Sequence, residues 1–178
     1  FLIAAQPDKT TSNNHHESQK NIIAGALRAF DNESLRTIVL MSVKNELLEE
    51  NFTQILLLAP FRRSTWEMID KLDEKNRQVY WDNVLPNYVF NAEDENCEAV
   101  ERLIAVQRPR AAFAAIHIKF EVIRPELLFQ LMSEMVKKGN DQPGHYPMQQ
   151  YSVEQAFVHL DKSPILTLEQ KAGLELSY

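Results

Sequence analysis

Apolar side chains in this chain recur at i, i+1, i+4, i+5 and i+8. That spacing puts them on one stripe of an α-helix, whereas a half-buried strand alternates every second residue. The stripe is plainest in Leu127, Leu128, Leu131, Met132, Met135 and Val136. It returns in Ile22, Ile23, Ala26, Leu27 and Phe30, and again in Ala99, Val100, Leu103 and Ile104. Turn-forming residues point the same way. Four glycines and eight prolines in 178 residues are well under the usual share of roughly 12%, too few for the many turns of an all-β domain.

Helix punctuation agrees with the periodicity. Pro109 and Pro125 each follow an arginine and stand where a helix can start, since a first-turn residue needs no amide hydrogen and proline already holds the helical φ. Ser64 with Glu67, Ser152 with Gln155, and Thr167 with Gln170 fit the capping box. Gly139 after Lys137-Lys138 reads as a helix stop, and 140–147 (NDQPGHYP) as a long loop. Together these signals predict helices at 19–30, 33–50, 52–59, 64–72, 74–85, 94–106, 109–121, 125–138, 152–161 and 167–178. The segment 109–121 is apolar nearly all round, through Ala111, Ala112, Phe113, Ala114, Ala115, Ile116 and Ile118. Such a helix is expected to be covered on more than one side.

Composition sets the broad class. With 44% apolar and 25% charged residues the chain has the material for a packed core. A net charge of −6 argues against a surface made chiefly for nucleic acid or anionic lipid. The lone Cys97 leaves no internal disulfide and no cysteine-rich zinc site. No apolar run approaches the roughly 18 residues of a membrane-spanning helix, and Phe1 to Ala5 lack the features of a signal peptide; a cytoplasmic location without membrane contact is expected. Residues 1–18 read as a flexible tail, because 6–19 (QPDKTTSNNHHESQ) holds no large apolar side chain. Residues 19–178 then form the helical domain. A start at Phe1 and a helical pattern that runs to Tyr178 lead us to expect a fragment of a longer chain. The apolar Leu168, Ala172, Leu174 and Leu176 are expected to be left without their full neighbours and to promote self-association.

Catalytic signals are weak. The histidines are His15, His16, His117, His145 and His159, with no His-Glu-x-x-His and no i, i+4 pair. His117, on the face of Phe113 and Phe120, reads as a partly buried structural group, and His145 as a loop residue without an evident partner. Cys97 has no signalled base or oxyanion site, so it is expected to pack. Gly25, Gly139, Gly144 and Gly173 are too scattered to cradle phosphate. Glu93, Asp94, Glu95, Glu98 and Glu101 form the densest acidic run, read as a helix start complementing its dipole. Arg108 or Arg110, at the next helix start, is expected to pair with Glu98 or Glu101. A nucleic-acid interface would draw on Arg62, Arg63, Arg108, Arg110, Lys119 and Arg124, with Trp66, Tyr80 and Trp81 as stacking groups. Helical spacing places Trp66, Ile69, Tyr80, Trp81 and Val84 in a core instead. No catalytic, cofactor-binding or metal-binding residue is therefore assigned.

Three stretches carry a resemblance: 56–90 with Tyr80-Trp81 and Pro86, 99–120 with Arg108-Pro109-Arg110-Ala111-Ala112, and 151–178 with Leu174-Glu175-Leu176-Ser177-Tyr178. Together they resemble the α-helical repeat region of large bacterial proteins of uncharacterised function. Gln107 stands where that pattern has glycine. The resemblance implies a segment of a helical array and brings no known activity with it. The expected architecture is all-α, with antiparallel helix pairs stacked as a short α-solenoid, a TPR/HEAT-like superhelix. The expected role is a non-catalytic scaffold for protein–protein interaction, with a protein or other domains of the same chain as partner. The competing classes are a nucleic-acid-binding helical domain and an all-α enzyme or nucleotide-responsive domain.

Overall fold

The computed structural model describes residues 49–86, 93–116, 119–138 and 150–178, with Gly25 and Met41 as single helical positions. Among these residues every regular element is helical and none is a strand, as the apolar periodicity requires. The chain divides into two compact units, Phe1–Pro60 and Phe61–Tyr178. In the first, α1 (Glu49–Leu56) buries Phe52, Ile55 and Leu56. The break expected near residue 51 is absent. Glu50-Asn51 holds neither glycine nor proline, so nothing interrupts the backbone ladder there. The helix stops at Leu56, where Leu58 and Ala59 donate to the carbonyls of Ile55 and Leu56 at 3.0 and 3.1 Å and tighten the last turn. The tail 1–18, the helix 19–30 apart from Gly25, most of 33–50, Gly139 and the loop 140–147 lie outside the described residues.

The second unit contains α2 (Arg63–Ile69), α3 (Glu74–Asn83), α4 (Glu93–Ala105), α5 (Pro109–Ile116), a 3-10 turn (Phe120–Val122), α6 (Pro125–Lys138), α7 (Gln150–Asp161) and α8 (Leu168–Glu175). Packing runs mainly between neighbours in the chain: α2 on α3, α4 on α5, α5 on α6, α6 on α7, and α7 on α8. Three longer links, α4 with α6, α4 with the 3-10 turn and the 3-10 turn with α7, close this framework. The helical stripes supply its interior. Leu103 of α4, Phe113 of α5, and Leu128, Leu131 and Met132 of α6 are fully buried. Ala111, Ala112 and Ala115 are buried too, and their small size lets α4 and α6 approach the α5 backbone closely.

Helix starts follow the sequence signals in part. Pro109 and Pro125 occupy the first positions of α5 and α6, with the carbonyls of Arg108 and Arg124 accepting from Ala112 and Leu128 at 3.0 Å. Thr167 and Gln170 form the expected capping box, at 3.2 and 2.9 Å. Ser64 and Ser152 do not cap: α2 begins at Arg63 and α7 at Gln150, which puts both serines inside the first turn. An unforeseen cap opens α3, where Asp73 accepts from the Asn76 amide at 2.8 Å and from its side chain at 2.9 Å. The long helix expected over 109–121 does not run through: α5 is described as far as Ile116, Lys119 at φ −140°, ψ 71° is outside the helical region, and a separate 3-10 turn buries Phe120. Phe120 thereby reaches Phe113, with ring centroids 5.5 Å apart.

Candidate functional site

Glu95, Glu98 and Arg102 recur at three and four residues along α4, so one face of that helix carries all three. Arg102 reaches Asp70, just after α2, with both terminal nitrogens, at 2.9 and 2.8 Å, and gives its Nε to Glu98 at 2.9 Å. The other Glu98 oxygen accepts from Arg63 Nε at 2.6 Å. The first amide of α2, that of Arg63, is capped by Glu95 Oε1 at 2.7 Å. The cap that Ser64 was expected to supply thus comes from a helix thirty-two residues on. Burial alone would raise the Glu98 carboxyl, but the hydrogen bonds and charges of Arg63 and Arg102 outweigh it and hold the group below its ordinary value. The Arg102 guanidinium is held above its ordinary value, chiefly by its hydrogen bonds to Asp70.

Two indole rings meet the same cation. The Arg102 guanidinium carbon lies 5.7 Å from the ring centroid of Trp66 and 5.8 Å from that of Trp81, within range for attraction to both π faces. Edge-on packing extends the cluster: Phe61 meets Trp66 at 4.9 Å and Tyr80 meets Trp81 at 5.2 Å. Trp66, Ile69, Tyr80, Trp81 and Val84 are all buried. The rings proposed as base-stacking groups therefore face the interior. Burial raises the Tyr80 hydroxyl well above its ordinary value, so it stays protonated. This arrangement fixes α2 and α3 on α4, and its charges are spent on one another.

The turn between α4 and α5 places Arg108. Gln107 adopts φ 60°, the left-handed conformation that glycine favours. Its amide donates to Ile104 O at 2.8 Å and the Arg108 amide to Leu103 O at 2.8 Å, the paired bonds of a Schellman helix end. The chain then turns Arg108 inward, where its buried guanidinium donates to the carbonyls of Trp81 and Val84 at 2.5 and 3.0 Å. A positive charge so placed satisfies carbonyls at the negative end of the α3 dipole. The carboxylates expected to meet Arg108 or Arg110 are held by other cations: Glu98 by Arg63 and Arg102, Glu101 by Arg124.

Among the described residues the candidate chemical groups do not converge. Cys97 is buried, its thiol 4.0 Å from the carbonyl of Val122. His159 lies half-buried on α7, while His15, His16, His117 and His145 are outside the described residues. Among the described residues no group of three histidine, cysteine, aspartate or glutamate side chains is placed to hold a metal ion. No helix among them is long and apolar enough to cross a membrane.

A different surface gathers at the end of the second unit. Along α8 and onto its C-cap Leu176, which keeps the helical φ and ψ, Leu168, Ala172 and Leu176 follow at intervals of four, each about 40° from the last around the axis, and so form one stripe. All three are exposed, Leu168 at 84% and Leu176 at 90%, with Ile165 exposed just ahead of the helix. Leu174, on the opposite side, is buried, which corrects the expectation that it too would lack neighbours. Helix α8 packs against α7. Nearby, Lys171 folds back to donate to the carbonyls of Asp161 and Ser163 at 2.7 and 2.9 Å. The sequence named these apolar residues together but could not tell which of them would face solvent. Comparison of the chain with family models, with curated proteins and with solved structures finds no match.

Proposed function

We propose that this chain is a non-catalytic helical scaffold that binds another polypeptide segment, as one part of a helical array within a larger bacterial protein in the cytoplasm. The observation that carries the proposal is the exposed stripe Leu168–Ala172–Leu176. Leucines exposed to this degree on a well-formed helix cost solvation, and their stripe matches the geometry by which helices pack on one another. Support also comes from the neighbour-to-neighbour packing of α4 through α8, the contact pattern of stacked helix pairs. The resemblance to bacterial helical repeats points to the same role. Ionic groups that would serve an active centre are engaged in fastening helices together, as Arg63, Glu98, Arg102 and Asp70 are.

The test is affinity capture on the intact chain, compared with the Leu168→Ser/Leu176→Ser variant. Both side chains are exposed, so the variant should match the parent in circular dichroism and unfolding midpoint. The expected outcome is a captured polypeptide that the parent retains and the variant loses. An identical captured set for both proteins would remove this face from the function.

A further inference from the structure

The stripe on α8 has charged edges, and they carry one sign. With about 100° between successive residues, Glu169 and Glu175 each stand about 60° from Ala172, on opposite sides of the stripe. Both are exposed. The one cation within the helix, Lys171, is turned away, its ammonium bound to the carbonyls of Asp161 and Ser163. Asp161 and Lys162, ahead of the helix, cancel one another. An apolar ridge between two carboxylates therefore faces solvent.

Two copies of the chain fit this face poorly. Whether the helices run parallel or antiparallel, pairing stripe on stripe sets carboxylate edge against carboxylate edge, an arrangement that interhelical charge pairing disfavours. A neutral apolar segment would leave both acids without a counter-charge. A helix whose own apolar ridge is edged by basic residues answers both the stripe and its rims.

We propose that α8 docks an amphipathic helix of another polypeptide whose apolar ridge is edged by lysine or arginine. This names the partner chemistry of the scaffold face described above and rests on that reading. Leu168, Ala172 and Leu176 supply the buried contact, and Glu169 and Glu175 set the partner's charge and orientation.

The test uses the intact chain and two synthetic helical peptides of equal length with the same leucine–alanine ridge, one edged by lysine and the other by glutamate. Calorimetric titration at low ionic strength should show the lysine-edged peptide binding at least about tenfold more tightly, with the difference shrinking as salt is added. The Glu169→Lys/Glu175→Lys variant should reverse the preference, and Leu168→Ser/Leu176→Ser should abolish binding of either peptide. Equal affinities, no binding of the lysine-edged peptide, or a preference that survives charge reversal would overturn the proposal. So would self-association of the parent that Leu168→Ser/Leu176→Ser abolishes, which would give the face to a second copy. If stripe-dependent capture persists while the peptides show no charge preference, the scaffold reading stands and the basic partner does not. If both fail, both are lost.

Discussion

Arg102 makes more structural interactions than its place in the sequence announces. It binds Asp70 through two hydrogen bonds, shares Glu98 with Arg63, and lies over the rings of Trp66 and Trp81. Arg102→Ala is expected to lower unfolding free energy by about 2–3 kcal/mol, through lost charge-assisted hydrogen bonds and indole contact. Arg102→Lys should recover less than half of that, because an ammonium cannot match the planar fork; chemical denaturation of the three proteins checks both values. Glu98 adds a pH dependence. Its folded-state pKa lies below the ordinary 4.5, so its stabilisation is fully present above pH 4.5 and is lost as pH falls through the lower, folded value. Glu98→Gln should therefore flatten the stability profile below about pH 4.5, which unfolding midpoints measured across the acid range would reveal. At Gln107 the strained φ predicts the opposite sign: Gln107→Gly should raise stability by about 0.5–1 kcal/mol, seen as a higher denaturant midpoint at unchanged slope.

At the scale of the element, α8 separates two roles that share one periodic pattern. Leu174→Ala should cost about 2–4 kcal/mol because it empties a buried site, while Leu168→Ser or Leu176→Ser should stay within about 0.5 kcal/mol of the parent. Gly173 offers a gain on the same helix, since a Cβ there would meet nothing within 4 Å. Gly173→Ala is expected to stabilise by roughly 0.5–1 kcal/mol, through the lower entropy of the unfolded chain; thermal unfolding of this set reads all four changes. Helix starts teach a related lesson. Thr167 and Gln170 needed only each other, so their capping box was legible in sequence. The α2 start was not, because its cap is Glu95, brought from α4 by packing.

For the whole molecule, the second unit carries its own interior, from Trp66 and Tyr80 through Leu103, Phe113 and Leu131. Phe61–Tyr178 produced alone is therefore expected to be helical and to unfold in one cooperative transition. A broad, non-cooperative melt followed by circular dichroism would show that its core depends on residues before Phe61.

Local chemistry settled what could be read directly. Apolar spacing of three and four residues dictates helices, Pro109 and Pro125 open α5 and α6, and aromatic residues on the helical stripes go inward. These outcomes depend on neighbours within a turn or two, so the order of residues contains them. Only the tertiary structure decided which cation each carboxylate would hold, that Arg108 would turn inward to the end of α3, and which apolar residues of α8 would face water. Each of those depends on which helix arrives alongside, and a periodic stripe specifies that something must cover it without specifying what.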